Sequence, residues 1–187
     1  MLGRFTTRFS RCNQGVATIE FALIATMLFT ILVGFMEMAL IFFASSVIEG
    51  ATGISARTGK TGYTAAGMSR EEFIRQKIAD LSFGVINTNE LEIEILSYNG
   101  FANVGQPEPC IPITDPPPCI NGFEDINGNG QWDADQGIAG PGSSGGVVLY
   151  RVTYPWPLFT PLISGLVGDE QGIYNIQSIA TIKNEPF

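Results

Sequence analysis

The sequence predicts an α+β protein: a long N-terminal transmembrane helix followed by a small head with an antiparallel sheet of three or more strands. Three observations predict it. The apolar surplus is concentrated in the first quarter of the 187 residues. A capping-box helix start follows at Ser69, and three runs rich in β-branched and aromatic residues lie beyond it, at residues 90–95, 146–156 and 172–184. A chain of this length holds one domain of ordinary size plus a membrane segment.

Residues 16–47 read VATIEFALIATMLFTILVGFMEMALIFFASSV, with no Lys or Arg and only Glu20 and Glu37 charged. The uninterrupted stretch, residues 21–36, would make about 24 Å of helix, against a hydrocarbon core roughly 30 Å thick, and the flanking apolar residues complete the span. Arg4, Arg8 and Arg11 precede it with no acidic residue among them. The positive-inside rule then places the N-terminus in the cytoplasm and the residues beyond about 45 outside. Glu37 lies about 25 Å along the helix from Glu20, which puts it at the outer interface when Glu20 is at the inner one.

An ordinary secretory signal is cut after its apolar stretch, next to small residues. Here the small residue, Gly15, comes before it, in the string Asn13-Gln14-Gly15-Val16-Ala17-Thr18-Ile19-Glu20-Phe21. This resembles the class III prepilin peptidase site of type IV pilins, with Gly15 as last leader residue and Glu20 as fifth mature residue. The Glu20-Phe21 pair is closer to the Flp, or tight-adherence, branch, and the first 60 residues or so resemble the TadE-like pseudopilins. The resemblance implies a basic leader over residues 1–15, processing between Gly15 and Val16, and an assembly role for Glu20 and Phe21. It implies a prepilin peptidase, other pilins or pseudopilins and inner-membrane pilus platform proteins as partners. It also implies a single pass through the bacterial inner membrane, with residence in a surface pilus left open.

A carboxylate inside an apolar helix costs about 2.5–3.5 kcal/mol near the bilayer centre and less near an interface. Cleavage would create a compensating partner, the new α-amino group of Val16, which the resemblance pairs with Glu20 of a neighbouring subunit. The alternative is a plain anchor in which Glu20 reaches the cytoplasmic headgroups.

Beyond the span, Leu40, Ile41, Val47, Ile48, Ala51 and Ile54 recur mostly at helical spacing, so the helix continues outward into the head, residues 48–187. Gly50, Gly53, Gly59 and Gly62 loosen and then end it, and residues 59–67 read as a loop. Ser69-Arg70-Glu71-Glu72 opens a helix over residues 70–82, with Phe73, Ile74, Ile78 and Leu81 as its apolar stripe. Strict alternation places Leu91, Ile93 and Ile95 on one strand face and acids on the other. Pro155, Pro157 and Pro161 are expected to break the chain between the last two strands. Val152-Thr153-Tyr154-Pro155 and Asn184-Glu185-Pro186-Phe187 extend the TadE-like resemblance to the C-terminal third.

The long connection at residues 99–145 carries two features of its own. Cys110 and Cys119 flank a Pro-rich loop with eight residues between them, and a local disulfide there fits an oxidising compartment such as the periplasm, two free thiols being the alternative. Then FEDINGNGQWDADQG places Asp125, Asn127, Asn129, Gly130 and Asp133 at positions one, three, five, six and nine of a calcium loop. Gln131 would donate its backbone carbonyl, and Asp135 falls one place before the twelfth position, which is Gln136. The expectation is an isolated structural Ca2+ loop, with a solvated acidic loop built on Asn-Gly turns as the alternative.

Histidine is absent, which removes a Ser-His-Asp triad, His-ligated zinc and a histidine base. A net charge of −8, from 10 basic and 18 acidic residues, argues against nucleic acid. The reading is therefore non-enzymatic. One alternative is a permanently anchored, calcium-stabilised surface adhesin or scaffold; a tethered hydrolase using Asp125, Asp133 and a metal is the least supported.

Overall fold

The computed structural model describes residues 15–60, 67–114 and 116–186. The leader residues before Gly15, and most of the loop expected after Gly59, lie outside the described residues. Helix α1 spans Val16–Lys60, α2 Arg70–Ser82 and α3 Pro161–Val167. The strands are β1 Glu92–Tyr98, β2 Ile138–Ala139, β3 Val147–Pro157 and β4 Ile173–Lys183. They form one antiparallel sheet in the order β2-β1-β3-β4.

Helix α1 is continuous, and its two parts differ in what they touch. Its buried residues begin at Gly34 and recur as Glu37, Ile41, Ala44, Ile48 and Ala51, a stripe at spacings of three and four that packs on the sheet. Before Gly34 the helix is a bare stem, about 27 Å long at 1.5 Å per residue. Val148, Tyr150, Val152, Tyr154 and Trp156 of β3 supply the sheet side of the core, joined by Ile74 and Ile78 of α2.

Ser69 starts α2 as its spacing predicts. Its hydroxyl accepts from the Glu72 amide at 3.1 Å, and Glu72 accepts from the Ser69 amide at 2.7 Å. The Ser69 amide first, and then the Ser69 hydroxyl, favour the charged carboxylate and hold Glu72 below its ordinary range. Ile93 and Ile95 pack against the core as the alternation requires. The strand starts at Glu92, later than expected, because Asn87 caps a 3-10 turn over Thr88–Glu90.

The expected break between the last two strands follows Pro157, and Pro161 opens α3 within it, but Pro155 and Pro157 themselves stay in β3, which pairs with β4 through Pro157. The reason lies in the register. Strand β1 pairs with β3 only as far as Thr153, so beyond it β3 has an open edge, where a missing N–H is tolerated.

The first four residues of β3 are buried on both faces. One face meets α1; on the other, Val147 and Leu149 join Leu96, Tyr98 and Val104 in a second small core. The long connection thus folds back over the outer face of the sheet and adds β2 to its edge.

The far end of α1 is where the chain's remote parts meet. Arg70 donates to the Gly59 carbonyl at 3.0 Å and to the Tyr150 hydroxyl at 2.8 Å. The Glu185 amide donates to the Lys60 carbonyl at 2.9 Å, and Lys60 pairs with the Glu185 carboxylate at 3.1 Å. These bonds satisfy carbonyls a helix end leaves open. Asn184 donates to the carbonyls of Pro141 and Ser143, tying the end of the connection to the C-terminus.

Candidate functional site

The processing and assembly residues named from sequence lie together at the start of the stem. Gly15 precedes α1, Val16 opens it, and Glu20 and Phe21 follow one turn later, all exposed. Val16 is 48% and Phe21 71% exposed, and the apolar side chains beyond them are bare in the same way. Thr26 and Thr30 return their hydroxyls to the carbonyls four residues earlier, so they cost an apolar medium nothing unpaired. Glu20 is the one charged side chain of residues 16–33.

Glu37 behaves differently. It is only 3% exposed, and it accepts from the Phe159 amide, the Thr160 hydroxyl and the Thr160 amide, the last at 3.2 Å. A carboxylate expected at the outer interface thus turns inward and holds the loop entering α3.

The long connection is built around a residue that sequence reasoning missed. Glu108, 1% exposed, accepts from the Ile126 amide at 2.8 Å and the Asn127 amide at 3.3 Å through one oxygen, and from the Asp133 amide at 3.1 Å through the other. Its own carbonyl accepts from the Trp132 indole at 3.0 Å. Lying between Pro107 and Pro109, it has no spacing that marks it. Cys110 and Cys119 are disulfide-bonded, with Cα atoms 5.0 Å apart, beside the bridge between Cys110 and Phe123.

The acidic loop brings some of its expected ligands together and not others. Asp125 accepts from the amides of Gly128, Asn129 and Gly130 at 2.7 to 3.1 Å, which closes the turn. The side-chain amides of Asn127 and Asn129 both meet one oxygen of Asp133, at 2.7 and 2.6 Å. The oxygens of the same two side chains accept backbone amides, Asn127 from Asn129 at 3.0 Å and Asn129 from Gln131 at 2.7 Å, so in this arrangement the loop is closed by its own hydrogen bonds. Asp135 does not join them. It accepts from the Tyr98 hydroxyl at 2.9 and 3.0 Å and faces Arg151 at 3.8 Å. Burial first, and then Asp135, push the Tyr98 phenol above its ordinary range. Gln136, at the twelfth position, is buried, and its amide donates to Asn103 at 3.4 Å. Gln131 donates its backbone amide to Asn129 at 2.7 Å. Among the described residues, no group of three or more His, Cys, Asp or Glu side chains is placed to hold a metal ion.

The loop lines an open cleft against the sheet: Glu94 of β1 faces it beside Asn127, Asn129, Asp133 and Asp135, and Arg151 pairs with Glu94 across the strands.

Compared with known proteins, residues 15–57 match the family described as TadE-like protein. The matched segment covers the stem and most of the rest of α1. No curated protein and no solved structure matches the chain.

Proposed function

We propose, from the TadE-like match of residues 15–57, that this protein is a pseudopilin or minor pilin that takes part in assembling a Flp/Tad-type pilus after a prepilin peptidase cuts it between Gly15 and Val16. The observation that carries this reading is the bare stem: an exposed apolar helix of about 27 Å whose one charged side chain, Glu20, lies a single turn from Val16. In a bilayer such a carboxylate calls for a cationic partner. The α-amino group released on Val16 of a neighbouring subunit has the right charge, and its formation would tie processing to assembly.

In this reading the helix packs with other pilin helices and the head contacts platform proteins of the inner membrane, with no substrate turned over. The test is the intact mass and N-terminal sequence of the membrane-fraction protein from cells with and without their prepilin peptidase. A chain starting at Val16 only when the peptidase is present supports the pathway. An uncut leader in both would sink it and favour a permanently anchored, calcium-stabilised surface adhesin or scaffold.

The proposal extends to a weak structural Ca2+ site in the acidic loop, held by Asn127, Asn129 and Asp133, with Asp125 shaping the turn and the Gln131 carbonyl completing the set. Asp135 is left out because Tyr98 and Arg151 already engage it. Calcium supplies charge neutralisation there, and sites of this kind in extracellular modules bind at about 10⁻⁴ to 10⁻³ M. Calorimetric titration of the full chain in detergent checks it: heat of binding that disappears in Asp133→Ala supports the site, and no heat at millimolar calcium removes it.

A further inference from the structure

Helix α3 and the loop before it sit where the bare stem ends. A Cβ placed on Gly34 would lie 3.8 Å from Ile163, so α3 rests directly on the first buried position of α1. Its outward side chains are apolar: Phe159 is 70%, Leu166 72% and Val167 46% exposed. No charged residue occurs from Tyr154 to Gly168. At the same level of α1, Phe35 and Met36 are also bare, at 71% and 61%. Scattered apolar residues on a surface need no explanation, but a contiguous apolar collar does.

Glu37 lies in the middle of this collar and is nevertheless withdrawn from it. Its oxygens are taken by the Phe159 and Thr160 amides and the Thr160 hydroxyl, as an apolar surrounding requires, since a carboxylate left unpaired there is costly. The two ends of the segment are also tied to each other: the Leu158 amide donates to the Gly172 carbonyl at 2.9 Å, and Asp169 accepts from the amides of Gln171 and Ile173.

We infer that residues 159–167 form a second membrane contact, an apolar wedge held by Glu37 that lies in the leaflet nearest Gly34 of the bilayer that α1 crosses. The occupant of this surface is lipid because the collar continues the stem without a gap. About 27 Å of bare helix falls a little short of a roughly 30 Å hydrocarbon core, so the apolar phase that receives Val33 also reaches Phe35, Met36, Phe159 and Leu166. Glu37 acts as a positioning residue, and the wedge sets the depth and tilt of the head against the membrane. The inference rests on reading α1 as a membrane anchor.

The test uses the full chain in lipid nanodiscs, in a Cys12→Ser background with the Cys110–Cys119 disulfide intact. A polarity-sensitive dye is placed singly by Phe29→Cys in the stem, Leu166→Cys in the wedge or Ile113→Cys on the connection. The expected result is blue-shifted emission at positions 29 and 166, quenched by spin-labelled lipid, with position 113 quenched by aqueous iodide alone. Position 29 in lipid with position 166 open to iodide overturns the wedge and leaves the anchor standing, whereas position 29 open to iodide overturns both. A blue shift at 166 that ignores labelled lipid and grows with two chains per disc identifies a protein neighbour and also overturns the inference. Glu37→Ala is expected to reduce lipid quenching at 166 while leaving 29 unchanged; equal quenching in this variant removes Glu37 from the positioning role.

Discussion

Glu20 and Glu108 are both carboxylates in unexpected surroundings, and the regions around them answer the problem in opposite ways. Glu108 is 1% exposed and is saturated by three backbone amides of its own chain. Glu20 stands exposed on an apolar stem, away from the buried stripe that begins at Gly34. The connection at residues 99–145 solves its polar problem internally, through the disulfide, Asp125 and Glu108. Among the described residues Glu20 has no ion-pair partner, and under the proposed assembly reading its partner comes from a neighbouring subunit. A self-satisfied region stabilises a fold; in that reading, one satisfied only by its neighbour directs assembly.

The largest expected effect tests that contrast directly. Glu20→Ala is expected to abolish pilus assembly, counted by electron microscopy, while membrane-fraction levels of the protein stay near wild type, because removing a charge makes insertion easier. Levels that fall together with assembly would make Glu20 a residue of folding or insertion, and the contrast would fail.

Glu108→Ala should do the reverse, leaving insertion unchanged and destabilising the head. Stranding three amide donors that are partly shielded from water costs about 3 kcal/mol, a fall in Tm of roughly 6–12 °C for a chain of this size. Glu108→Gln keeps one acceptor oxygen and should lose about half as much. Thermal unfolding in detergent, followed by circular dichroism, measures both, and an unchanged Tm in Glu108→Ala would show that the connection does not depend on this carboxylate.

How much of this was legible beforehand follows the range of the interactions. The capping box at Ser69 and Glu72 and the apolar stripe of Ile74 and Ile78 are local, and the helix forms where they predict. The stem, likewise, is a matter of composition alone. Thr88–Glu90 became a 3-10 turn because Asn87 bonds both the Asn89 amide and the Glu90 carboxylate, a local competition that alternation does not register. Pro155 survives inside a strand only because β1 stops pairing at Thr153, which no local pattern reveals. The turn that Asp125 closes was legible in its Asp, Asn and Gly spacing, but the partner of Asp135, Tyr98, lies 37 positions away in the chain. Glu37 and Glu108 were the least legible. Their partners lie up to 123 and 25 residues distant, and a buried carboxylate is recognised by its donors, not by its neighbours in sequence.

A smaller effect sharpens the comparison where α1 leaves the stem and joins the head. Gly59 is a glycine because a Cβ there would collide with the Tyr150 hydroxyl. Gly59→Ala should therefore cost about 1–3 kcal/mol by overpacking. In a Tyr150→Phe background the nearest atom is gone, and the same substitution should cost distinctly less, a coupling that a double-mutant cycle reads. Equal costs in the two backgrounds would place the strain elsewhere.

The smallest effect concerns the same tyrosine at high pH. Tyr150 is fully buried, and that burial raises its phenol above the ordinary value near 10, partly offset by the positive charge of Arg70. A raised pKa means that the folded state holds the proton more tightly than the unfolded chain. The contribution is complete below the unfolded phenol's pKa and is lost as pH rises from about 10 toward the folded value, at up to about 1.4 kcal/mol per pH unit. Chemical denaturation at a series of pH values from about 9 to 11.5 should therefore give a steeper alkaline decline for the wild type than for Tyr150→Phe. Since Tyr98 is raised in the same direction by burial and by Asp135, the variant's decline should become shallower without flattening. Identical slopes would mean that the Arg70 pairing compensates the burial of Tyr150 in full.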